Sequence, residues 1–161
     1  MARTLGELAK SMRELATSIP VRANELKQNV ARTINFDLLN TTPVDEGVAM
    51  SNWIVNLDEA SSEVREAFVP ATKGKMVQKD KVRTWTHSND TEATRQANVE
   101  PALSLANTTI ESSQPGQEIH LTNNLPYIQA LDDGHSTQAK LFVDRAIILG
   151  ENLVSRATLT D

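Results

Sequence analysis

The sequence predicts an α+β domain: N-terminal helices packed on a small, mainly antiparallel β-sheet, a long middle loop or hairpin, and a C-terminal helix. Three observations carry that expectation. Apolar residues recur at helical spacing near both ends of the chain, and two short segments alternate apolar and polar residues beside turn signals. Between those two segments lies a basic stretch, residues 58–88, that reads as an extended loop or hairpin insertion. At 161 residues the chain suits one domain over 1–161, able to bury about two-thirds of its unfolded surface.

Leu5, Leu8, Ala9, Met12, Leu15, Ala16 and Ile19 form one apolar helical stripe. Pro20 interrupts it, and Leu26, Val30, Ile34 and Leu38 resume it, so two helices or one helix kinked at Pro20 are expected. The second part ends before Pro43, which biases its predecessor away from helix. Pro43-Val-Asp-Glu-Gly47 is a turn, with Gly47 free to take a positive φ. Residues 51–57 read as a strand, with Trp53, Val55 and Leu57 on a buried face and Asn52, Ile54 and Asn56 on a half-exposed one.

Within 58–88, residues 64–69 and 81–86 are candidate strand arms around a basic tip at 73–79; an irregular loop fits as well. Asn89 or Asp90 can cap a helix running to Ile110 on Ala93, Ala97, Leu103, Ala106 and Ile110, with a kink or break at Pro101. A turn at 112–116 leads to a strand over 117–123, then a short helix over 125–131 that Gly134 ends. Residues 141–154 form the last helix, with Phe142, Ala146, Leu149 and Leu153 on its inner face.

Composition removes several function classes. There is no cysteine, which excludes disulfides and thiolate metal sites. No apolar run has the length of a signal peptide core or a membrane span, so a cytoplasmic site of synthesis and no membrane partner are expected. A net charge of −5 argues against a dedicated duplex-DNA binder. Five cations, Lys73, Lys75, Lys79, Lys81 and Arg83, face one carboxylate, Asp80, and leave −9 for the rest of the chain. With Met76 and Trp85 they make a candidate subunit or partner interface, although composition alone favours a solvated loop.

The stretch most like chemistry is Asp132-Asp-Gly-His-Ser136, where Asp132, Asp133 and His135 could serve a small metal-dependent hydrolase. Adjacent residues on one loop cannot all face one ion, and a helix end at Gly134 explains the same letters. No nucleophile elbow, Walker loop, dinucleotide fingerprint or His-Glu-x-x-His is present, so no cofactor is expected. Trp53 and Tyr127 are expected in the core, holding the two turn-and-strand segments together, with Asn123 and Asn124 as turn-makers.

Taken in order, Pro43, Val44, Asp45, Gly47, Ser51 and Trp53, then Asn123, Pro126, Tyr127, Asp132, Gly134, His135, Ser136, Gln138 and Ala139, form a spaced series. That series resembles the tail-completion (head–tail joining, or neck) proteins of long-tailed bacteriophages. The chain departs from the family where Lys140-Leu141 replaces a Pro-Gly pair before Phe142-Val143. The resemblance implies a structural virion protein without enzymatic activity, assembled in the host cytoplasm. It implies a homo-oligomeric ring, expected to be a hexamer, between the head connector or stopper and the tail tube. Phage DNA would pass through its channel without sequence-specific binding. A tail terminator capping the tube is the related alternative.

Overall fold

One helix, α1 (Leu5–Thr41), is the spine of the molecule. The computed structural model describes residues 4–70, 75–79, 82–86 and 91–158. Thr4 and Glu7 form a reciprocal capping box that starts α1. Of the two forms expected, two helices or one helix kinked at Pro20, the chain forms one helix through Pro20. Pro20 sits on a water-exposed stretch, and water can satisfy the carbonyl that loses its backbone donor there.

After α1 comes α2 (Val48–Ser51), a single helical turn entered from Gly47 at φ 82°. Strand β1 (Ile54–Leu57) follows, three residues shorter than the expected strand over 51–57. The reason is local: Ser51 and Asn52 are buried and hydrogen-bonded by their side chains, which takes them out of an alternating ladder. Ile54 is also buried, so the predicted half-exposed face is mostly interior.

β1 pairs antiparallel with β4 (Ile119–Thr122), in the register Ile54↔Thr122 to Leu57↔Ile119. A separate hairpin joins β2 (Lys75–Lys79) to β3 (Val82–Thr86). The small antiparallel sheet expected from sequence is the β1–β4 ribbon, and the middle segment takes the hairpin form. The partner of β3 is the basic segment itself; residues 64–69 form no strand.

Helix α3 (Thr91–Ser112) continues through Pro101. Its expected cap at Asn89 or Asp90 lies outside the described residues. Asn98, Ala102, Ala106 and Ile110, four apart, are its buried seam, whereas Ala93 and Ala97, expected on that face, are exposed. Two hydrophobic clusters sit between the elements. The larger joins Leu38, Leu39, Val44, Met50, Trp53, Ala102, Phe142 and Ala146; the smaller joins Ala31, Val55, Ala106 and Ile110.

A helical turn, α4 (Ile128–Ala130), widens into a π-type turn (Leu131–His135) and stops at Gly134, φ 96°. The last helix, α5 (Phe142–Arg156), lies against α1. Phe142, Ala146 and Gly150 are its buried residues, while Leu149 and Leu153, expected inside, are exposed. Gly150 explains the shift. A Cβ there would stand 2.7 Å from Ile34 Cδ1, so α5 touches α1 along its small residues.

Candidate functional site

The two segments singled out in the sequence converge. Residues 43–49 form one wall of a surface groove of about 760 Å³, and Tyr127, Leu131 and residues 135–138 form the other. The walls are tied by side-chain amides. Gln138 acts like a paired strand toward Val44: its Oε1 accepts from the Val44 N–H at 2.8 Å and its Nε2 donates to the Val44 carbonyl at 2.7 Å. Asn123 Nδ2 donates to the Ala49 carbonyl at 2.8 Å, and Asn123 Oδ1 accepts from Leu125 N.

Pro43, Val44 and Gly47 are buried, and Asp45 and Glu46 project from the turn. Gly47 is doubly constrained, since a Cβ would meet Asn98 Nδ2 at 2.9 Å on a left-handed backbone. Trp53 is buried, and its indole N–H donates to Thr42 Oγ1, whose hydroxyl in turn donates to the Leu38 carbonyl. Tyr127 corrects the expectation of a second core aromatic: it is 44% exposed on the groove wall. Pro126 is exposed as well. Partial burial, then Glu46 and Asp45 across the groove, push the Tyr127 phenol above its ordinary range.

The Asp132–His135 turn is built for structure. Asp132 Oδ1 accepts from Val143 N at 3.0 Å, and its carbonyl accepts from Leu141 N at 2.8 Å. Asp132 thus caps α5 from a distance, because the residue at the cap position, Leu141, has no side-chain acceptor. Asp133 and His135 are exposed, His135 on the groove wall. Among the described residues, no three His, Cys, Asp or Glu side chains are placed to hold a metal ion.

Leu141 itself stands at φ 53°, ψ 34°, a left-handed conformation that costs a branched residue about 1–2 kcal/mol.

Sequence reading missed three residues that organise the site. Arg95 Nη1 donates to the carbonyls of Leu39, Asn40 and Thr42 and closes the C-terminal end of α1. Asn98 accepts from Ser51 Oγ and Val69 N and donates to the Val69 and Thr94 carbonyls. Asn52 exchanges hydrogen bonds with the backbone of Arg65. Together Asn52 and Asn98 fix residues 65–69 as an irregular but anchored strap. A buried amide facing backbone has no periodic signature; a polar residue on an otherwise apolar seam, as at Asn98, was the one available signal.

Of the candidate interface residues, Lys75, Met76 and Lys79 belong to β2, and Arg83 and Trp85 to β3, with Met76 opposite Trp85. Lys73 and Lys81 lie outside the described residues. A different surface carries exposed apolar side chains: Leu5, Leu8, Met12, Leu15 and Ile19 on α1, and Ile147, Ile148, Leu149, Leu153 and Val154 on α5. Among the described residues, no helix is long and apolar enough to cross a membrane. The chain matches no family model, no curated protein and no solved structure.

Proposed function

We propose that this protein is a structural component of the neck of a long-tailed bacteriophage, a ring that joins the head connector to the tail tube. The observation that carries the reading is Leu141. The resemblance puts glycine at this position, and the backbone here is left-handed, the conformation glycine adopts without strain. A pattern read from letters alone thus coincides with a geometric demand of this chain.

Two further features support it. Four of the spaced residues of the resemblance, Val44, Trp53, Asn123 and Gln138, make hydrogen bonds that help tie the fold together. The exposed apolar residues of α1 and α5 supply surface for subunit contacts, which a ring needs and a monomer does not. In this role Asp132 caps α5, and no chemistry is assigned to it or to His135 on the groove wall.

The test is electron microscopy of phage particles made without the protein. Full heads and finished tails that fail to join are the expected result. Joined virions of normal infectivity would refute the reading, and heads joined to tails of irregular length would move the assignment to tail terminator.

A further inference from the structure

The two ribbons of the fold, β1–β4 and β2–β3, form separate sheets, and each lacks what the other offers. In the first, the Asp58 N–H donates to the Glu118 carbonyl at 3.0 Å, in the register that pairs Ile54 with Thr122. Antiparallel bonding alternates, so Asn56–His120 and Ile54–Thr122 bond across the ribbon and the backbones of Ile119 and Leu121 face outward. Among the described residues, none bonds the outward N–H and C=O groups of Ile119 and Leu121. Beside this edge runs a groove of about 370 Å³, lined by Ile119 and Leu121 of β4, Leu26, Val30 and Ile34 of α1, and Val154 of α5. Val55 and Leu57 of β1 do not line it, so the groove belongs to the β4 edge. An apolar groove alone accepts many shapes; an open row of strand backbone selects an extended chain.

The β2–β3 hairpin is the complementary piece. Among the described residues, neither of its arms packs extensively on any element but the other. A lone two-stranded hairpin is marginal in water until a third strand or an apolar surface supports it. Its arms bring extended backbone, with Met76 and Trp85 as register partners. Charge selects the same match. Asp58, Glu59 and Glu118 stand at the Leu57–Ile119 end of the first ribbon, where Lys27 is held by the carbonyls of Gln114 and Gln117. The hairpin arms carry Lys75, Lys79 and Arg83.

We infer that the β2–β3 hairpin of one copy adds to the β4 edge of the next, seats Met76 and Trp85 over the groove, and makes one sheet across the subunit boundary. The contact joins two different surfaces. Every copy therefore gives one hairpin and receives one, and a head-to-tail contact of this kind closes into a ring when its rotation allows. The inference rests on the ring reading and supplies it with a specific joint.

Two variants each remove one half of that joint. Met76→Ser/Trp85→Ser spoils the hairpin and keeps the groove. Val154→Lys, at a residue 53% exposed, sets a cation against the basic hairpin and leaves its own hairpin intact. Each alone should raise the dissociation constant seen by light scattering by about tenfold or more, through lost anchors in the first and like charge in the second. Mixed in equal amounts, the two should form a one-to-one dimer, because the hairpin of the second fits the groove of the first and growth stops there. Should either disturb the circular dichroism of the body, Ile119→Pro serves as the groove variant and Lys79→Glu/Arg83→Glu as the hairpin variant. The proline removes an outward N–H at the first residue of an edge strand, a place where proline is tolerated. A mixture that stays monomeric, or single variants that keep the wild-type mass, overturns the joint. That outcome leaves the ring itself in place, because joining of heads to tails is scored separately. A wild-type chain that stays monomeric at all concentrations also overturns the joint.

Discussion

The two halves of α1 are built from similar letters and live in different surroundings. Residues 5–22 present six large apolar side chains to solvent, whereas residues 23–41 bury Ala31, Asn35, Asp37, Leu38 and Leu39 against α3 and α5. Both halves satisfy helical periodicity, so the periodicity does not report which half is inside. What differs is the supply of partners. At about 55 Å, α1 outruns both α3, about 33 Å, and α5, about 22 Å. The embedded half is also bound by polar groups: Arg95 closes its carbonyl end, and Arg145 pairs with buried Asp37 at 3.0 Å. The described side-chain bonds of residues 5–21 are local: the cap, the hydroxyl bonds of Thr17 and Ser18, and the Lys10–Glu14 pair.

That contrast can be broken most forcefully in the embedded half. Leu39 is 0% exposed, and Leu39→Ala should cost about 2–5 kcal/mol, read as a shift in the urea midpoint at constant slope. Wild-type stability would mean that the cluster joining α1 to Trp53 and Phe142 does not hold the body together.

Arg95→Met comes next. It keeps the stem and removes the donor to three carbonyls, and it should cost about 1.5–3 kcal/mol. If the loss is no larger than that of a surface control such as Arg13→Met, Arg95 is ornamental and the end of α1 is sealed by water.

The seat of α5 on the embedded half offers a gain. Leu141→Gly removes left-handed strain from a side chain that is half-exposed, and it should stabilise the fold by about 0.5–1 kcal/mol after the added freedom of the unfolded chain. A destabilised variant would show that Leu141 contributes packing that outweighs its strain.

The smallest effect belongs to the exposed half. Leu15→Gln should change the stability of the isolated fold by less than about 0.5 kcal/mol, since it removes no buried contact. A loss above 1–2 kcal/mol at a concentration where the chain is monomeric would place this residue in a core and erase the difference between the halves.

The sequence by itself determined the α+β class, the helical stripe from Leu5 to Leu38 and its end before Pro43, the glycine turns at Gly47 and Gly134, and the strand containing Val55. These are legible because local sterics decide them: proline removes a donor, glycine alone enters left-handed backbone cheaply, and alternation or helical spacing marks a face. The tertiary structure alone decided which apolar faces are buried. Leu149 and Leu153 lost the inner face of α5 to Gly150, because close approach of α1 rewards small residues over large ones. It also decided that Tyr127 lines a groove while Asn52 and Asn98 go inside, because an amide is at ease in the interior only where the backbone of a distant segment arrives to accept and donate its hydrogen bonds. No spacing within either segment announces that meeting.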